Sequence, residues 1–283
     1  MSLDKPERVH FSYNAHAGAF GARLTQPTCD TIPSQASVML APSGGEGFAS
    51  VRNFNYKGII TFDEAHTYVS GSEEVMNGKR VFNTLATVTV RNLNVGNVVT
   101  ADLITARVAS RHDEDGEENF ITLEGSFIRG LTIASVPVTP RFDTTLFARF
   151  PTYEMFNKGL AEGQTFEDYA RRFAWNLDDC RSKESRSGLA PPQKRPGVIR
   201  ASLLSDLPEI DSYRGRDDIN VSPVTRDGYV VSVREFGKIY IGEVIVKKSE
   251  RRLNLLRFDL GCTLCGDASG GFADGNGTPI GPP

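Results

Sequence analysis

The chain carries little of what usually announces an activity. Four cysteines among 283 residues are too few for a disulfide framework. A net charge of −3 creates no field that would gather nucleic acid, so none is expected as a partner. No run approaches the roughly 18 apolar residues of a membrane-crossing helix, so no membrane span is expected. The opening MSLDKPERVHFSYN mixes acidic and basic residues and has no apolar h-region, so it does not read as a secretory signal. The expected location is cytoplasmic, with a surface or extracellular one left open. The Gly-x-Ser-x-Gly elbow, the His-Glu-x-x-His helix and the kinase signatures are missing. The reading therefore leans away from an enzyme, with no catalytic residue, metal ligand or cofactor assigned.

What is present points to strands. Glycine is abundant at 27 residues, and valine and threonine are frequent, a composition of strands and turns. RNFNYKGIITFDEAHTYV starts at Arg52, and RNLNVGNVVTADLITARV starts at Arg91. Arg, Asn, Asn, Thr, Asp and Val recur at one offset, so residues 52–69 and 91–108 read as one repeated unit. In each copy Asn-x-Asn precedes a β-branched run, Ile59–Thr61 or Val98–Thr100. Asn tolerates positive φ and bonds nearby backbone, which suits a bulge or corner. In TLATVTVRNLNV, residues Ala86, Val88 and Val90 fall on one face and Leu85, Thr87 and Thr89 on the other, the period of a half-buried strand.

Other segments follow the same logic. RVHFSYNAHAGAFGARL (8–24) reads as a strand, a glycine turn and a second strand. PSGGEG reads as a turn, because a phosphate cradle needs a helix after it. HDEDGEEN (112–119) reads as a solvated acidic turn, lacking the register of a calcium loop. Residues 1–143 thus form a β domain. A helical insertion is expected over 144–180, with an apolar stripe of Phe166, Tyr169, Ala170, Phe173 and Ala174 and with Trp175 beside it. Residues 181–222 read as a basic, Pro-rich loop. Strands return over 223–265 to pair with the first sheet, since a lone hairpin is marginal in water. The last segment, 266–283, is Gly/Pro-rich and reads as a tail.

Three constellations bear on chemistry. Cys262 and Cys265 have the spacing of a metal knuckle or redox pair, but a zinc site needs four ligands. They read as a thiol pair or local disulfide. His10 and His16 share a strand face and read as ordinary strand histidines. Asp63 and Asp102 are matched by the repeat and read as backbone-bonding residues rather than an acid/base pair.

NLNVGNVVTADLITARVASR resembles the choice-of-anchor P group of bacterial proteins, in which a strand, a Leu-Asn-Val corner and VTAD recur. GSFIRGLTI and LNLLRFDLGC resemble uncharacterised bacterial proteins of similar length. The resemblance covers residues 84–138, with echoes at 42–72 and 228–262. It implies a β-rich bacterial protein and carries no activity. Together these features predict a mainly β protein, an antiparallel β-sandwich or barrel with a short helical insertion. Its expected function is a structural or self-assembling β protein, a homo-oligomer or one with an assembly partner, linked through the C-terminal tail. The alternative is a small-molecule-binding barrel or sandwich whose pocket lies under the 165–177 helix, lined by Phe166, Tyr169, Phe173 and Trp175. A third reading is a hydrolase or isomerase using scattered Asp and His residues.

Overall fold

The computed structural model describes residues 10–26, 29–114, 120–161, 199–213, 224–247, 250–261 and 265–280. The described chain is mainly β, and every strand pairing is antiparallel. The order opens with β1 (His10–Gln26), β2 (Asp30–Gln35) and β3 (Val38–Met39). Four long strands follow: β4 (Gly45–Tyr56), β5 (Ile60–Met76), β6 (Lys79–Val95) and β7 (Val99–Asp113). Five short strands come next: β8 (Phe120–Thr122), β9 (Phe127–Arg129), β10 (Leu131–Ile133), β11 (Val136–Val138) and β12 (Arg141–Phe142). Two helices, α1 (Leu146–Arg149) and α2 (Tyr153–Ala161), precede β13 (Ile199–Ser202), β14 (Leu204–Asp206) and α3 (Pro208–Tyr213). The chain closes with β15 (Val224–Asp227), β16 (Val230–Val233), β17 (Gly237–Lys247), β18 (Glu250–Leu260) and β19 (Cys265–Ile280).

Apart from β12 and β14, which pair with each other, these strands form two large sheets. The meander sheet runs β11-β10-β7-β6-β5-β4, with β8 and β9 also on β7. The closing sheet runs β15-β16-β17-β18-β19-β1-β2, with β13 on β17 and β3 on β1. The hairpins of the meander sheet are set by local chemistry. Asn77 and Gly78 both have positive φ, 53° and 79°, the geometry of the turn that matches strand twist. Lys57–Gly58 and Gly96–Asn97 do the same between β4 and β5 and between β6 and β7.

The Asn-x-Asn sites form a line of kinks across the meander sheet. Asn53 and Asn92 both have φ 52°. The β4–β5 ladder steps from Arg52↔Glu64 to Phe54↔Phe62, and the β6–β7 ladder from Arg91↔Leu103 to Leu93↔Ala101. One residue of each strand drops out of the ladder with the register kept, and this switches which parity faces the core. Before it Ala86, Val88 and Val90 are buried; after it Leu93 and Val95 are. The second Asn of each pair caps the turn that follows. Gly58 N–H donates to Asn55 Oδ1 at 2.7 Å, and Asn97 N–H to Asn94 Oδ1 at 2.9 Å.

The core lies between the sheets. Phe62, Phe82, Ile104 and Val108 of the meander sheet and Tyr13, Phe20, Leu253 and Phe258 of the closing sheet are buried. Each such side chain contributes about 1.5–3 kcal/mol on burial. The sheets approach closely where β19 passes over β6 and β7. A Cβ on Gly271 would sit 2.8 Å from Ile104 Cγ2, and one on Gly275 would sit 3.3 Å from Val108 Cγ1.

Three expectations are corrected. Residues 8–24 are not two strands around a glycine turn: β1 is one strand of 17 residues. Its Gly18 provides room rather than a turn, since a Cβ there would meet the Phe272 ring at 2.3 Å. The expected C-terminal tail is strand β19, bonded along one side to β18 and along the other to β1. Its glycines reflect close sheet packing, not freedom to reach a neighbour. Finally, β13, β14 and α3 lie within the segment read as a loop.

Candidate assembly edge

A sheet edge presents unpaired backbone groups, and folded proteins keep such edges short or interrupt them. Most edges here obey that rule. At the margins of the two sheets, β11 has three residues and includes Pro137, β2 has six and includes Pro33, and β15 has four. β4 does not obey it. It is a 12-residue strand without proline, it ends the meander sheet, and among the described residues its outer side pairs with no strand.

The alternation along β4 places Glu46, Phe48, Ser50 and Arg52 on the outer face, all exposed, while Gly47, Ala49 and Val51 turn toward the core. Phe48 is 84% exposed, an apolar ring in water at the middle of an open edge. The strand is held firmly from behind. Tyr56 Oη donates to Asp30 Oδ2 at 2.5 Å and Lys57 Nζ to the same oxygen at 2.8 Å, tying the hairpin tip to β2 of the other sheet. Thr67 Oγ1 donates to Ala36 O at 2.7 Å, fixing the chain beneath β5.

Charge on this edge is ordered too. Arg52 Nε donates to Glu64 Oε1 at 3.0 Å, His66 Nε2 lies 2.9 Å from the same oxygen, and Arg91 Nε lies 3.9 Å from Oε2. The His66 hydrogen bond, aided by Arg52, holds the Glu64 carboxyl below the usual carboxylate range. Deeper on the same outer face is a shallow groove of about 250 Å³ lined by Ser70, Ser72, Asn83, Arg107, Arg111 and Phe120.

The closing sheet carries a partly buried ionic network. Glu243 is 0% exposed. Arg257 donates from Nε to its Oε2 at 2.8 Å and from the other arm to Asp259 at 2.7 Å. Tyr240 Oη donates to Asp259 at 2.6 Å beneath the same guanidinium. Burial, then the bond to Asp259, pushes the Tyr240 hydroxyl well above its usual range. Burial alone would weaken the Arg257 charge, but Glu243 and then Asp259 more than offset it. With its charges mutually paired, the network joins β17 to β18 and is read as structural.

The structure describes only some of the residues singled out in the sequence. Phe166, Tyr169, Phe173 and Trp175 lie outside the described residues, as does Cys262. Cys265 opens β19, with Sγ 3.6 Å from Gln26 Oε1. His10 opens β1, and only its backbone is described. Asp63 accepts from Asn92 Nδ2 at 2.6 Å, while Asp102 stands two strands away on β7. The β4 edge was readable in principle, because GEGFASVR alternates and carries neither proline nor lysine, but its position at the sheet margin is a property of the topology. Among the described residues no helix is long and apolar enough to cross a membrane.

The fold and this edge define a class: an antiparallel β-sandwich in which, among the described residues, the long strand β4 is open to further pairing. The chain belongs to the family described as Domain of unknown function (DUF8256), which it matches over residues 11–247. No curated protein and no solved structure matches it.

Proposed function

We propose that this is a structural β protein that assembles with copies of itself, through β4 rather than through the C-terminal segment. The observation that carries the reading is the open 12-residue edge with Phe48 at its centre. Asn53, at φ 52°, ends the regular stretch, leaving Gly45–Arg52 to pair. Antiparallel pairing about Ala49 sets Glu46 opposite Arg52 of a second copy and Phe48 opposite Ser50. The two Phe48 rings then sit diagonally across the twofold axis, within reach of one another. A register centred on Phe48 or on Ser50 loses both charge pairs, so complementarity selects one arrangement. Replacing Phe48 with Lys is expected to leave the melting temperature within a few degrees and to convert the assembly to monomers in light scattering. A monomeric wild type, or a Phe48→Lys protein that assembles unchanged, contradicts the proposal.

The groove beside Arg107 and Arg111 supports a second reading, a site for a small polar anion. Citrate is the probe: binding in calorimetry that is lost in Arg107→Ala supports it, and the absence of heat at millimolar citrate removes it.

A further inference from the structure

Three side chains on the outer face of the closing sheet meet in an order that has chemical meaning. His16 lies on β1 with its ring directed away from the core. Its Nε2 is 3.0 Å from Ser37 Oγ, in the short link between β2 and β3. Its Nδ1 is 3.6 Å from Asp274 Oδ2. The chain topology produces this meeting: His16 is opposite Asp274 in the β1–β19 ladder and opposite Met39 in the β1–β3 ladder.

The surroundings fix each member. Asp274 is 9% exposed, and Arg252, opposite it on β18, brings Nε to 3.8 Å of its carboxylate. Phe272 meets the His16 ring edge-on at 5.3 Å between centroids, and the Arg252 guanidinium covers the Phe272 ring at 5.3 Å. Ser37 is exposed. It follows Ala36, whose φ of 46° is rarely adopted by a residue with a side chain. Such a conformation persists only where the surroundings hold it. Here Thr67 Oγ1 bonds the Ala36 carbonyl, and Leu40 N–H bonds the Ala15 carbonyl at 2.8 Å.

We infer that Ser37, His16 and Asp274 form a nucleophile–base–orienter triad that hydrolyses accessible carboxylic esters. The Asp274 carboxylate faces Nδ1 at 3.6 Å and favours the proton there, so Nε2 is left as the acceptor for the Ser37 proton, the tautomer that acyl transfer requires. Ser37 Oγ bonds to the ester carbonyl carbon and His16 Nε2 takes its proton. The carbon–alkoxide bond breaks, and the alcohol leaves carrying that proton. Water then bonds to the acyl carbon while His16 takes its proton. The carbon–Oγ bond breaks and the proton returns to Ser37, so ester and water become acid and alcohol. The His16–Asp274 separation is long for a hydrogen bond, as such contacts often are before substrate binds. Met39, opposite His16 in the β1–β3 ladder and 70% exposed, offers apolar surface near the nucleophile for a short acyl group. This inference is independent of the assembly proposal, because β4 contributes no residue to the triad.

The test uses the full-length protein, p-nitrophenyl acetate and a fluorophosphonate probe. One phosphonyl group is expected on Ser37 by peptide mass spectrometry, with loss of labelling in Ser37→Ala. Ser37 is exposed, so that substitution leaves the fold intact. His16→Asn is expected to slow hydrolysis at least 100-fold. Asp274, a positioning residue, is expected to lose roughly 10²–10⁴-fold as Asn, with partial rescue by Glu but not by Ala. Absence of an adduct on Ser37, or equal labelling of wild type and His16→Asn, overturns the inference.

Discussion

Gly271 has φ 65°, and a Cβ there would sit 2.8 Å from Ile104 Cγ2. Gly58 has nearly the same φ, 69°, with nothing within 4 Å of a Cβ. The pair separates backbone strain from crowding. Gly58→Ala is expected to cost about 1–2 kcal/mol through the left-handed conformation alone. Gly271→Ala is expected to exceed that by about 1–3 kcal/mol, because the sheets must part to admit the methyl. Denaturant midpoints of the two variants provide the comparison, and equal costs would mean that the sheets are looser than described. Glu64 yields a second prediction at this scale. The groups facing it are Arg52 on β4, His66 on its own strand and Arg91 on β6. Its carboxyl is held below the usual 4.5, so it favours the folded state above about that pH and loses this effect as pH falls through the lowered value. A Glu64→Gln protein should melt below wild type at pH 7 and converge with it in acid. A gap that widens toward low pH would reverse the assigned sign.

Strands differ in how openly the sequence declares them. The alternation of Ala86, Val88 and Val90 against Leu85, Thr87 and Thr89 was legible, because one face of β6 is core and the other is not. The Asn corners were legible as well, because only a few residue types accept positive φ. β1 and β19 were misread for one shared reason. Both are rich in alanine and glycine because the sheets pack closely, and small residues imitate turns and tails when neighbours are unknown. Placing β19 between β18 and β1 makes a clear claim about local stability. Amides of Ala268–Ala273 should be among the slowest to exchange with deuterium, and a chain ending at Gly261 should not fold, since both flanking strands lose a partner. Rapid exchange along β19 would restore the tail.

The whole molecule adds what no local pattern contains. Which strand becomes an edge, and which histidine meets which carboxylate, follow from the order in which strands assemble. β4 reads like any other alternating strand, and His16 lies at the opposite end of the chain from Asp274. The sequence therefore signalled sheet content and corner positions, while the open edge and the triad emerged only from topology. The central claim is that β4 pairs with β4 of a second copy about Ala49. Light scattering across a concentration series, on wild type, Glu46→Arg and Glu46→Arg/Arg52→Glu, tests it most directly. The account predicts that Glu46→Arg weakens association about tenfold or more, by placing like charges opposite each other twice, and that the charge-swapped double variant regains it. Identical masses for all three proteins, or a double variant weaker than the single, would contradict the account.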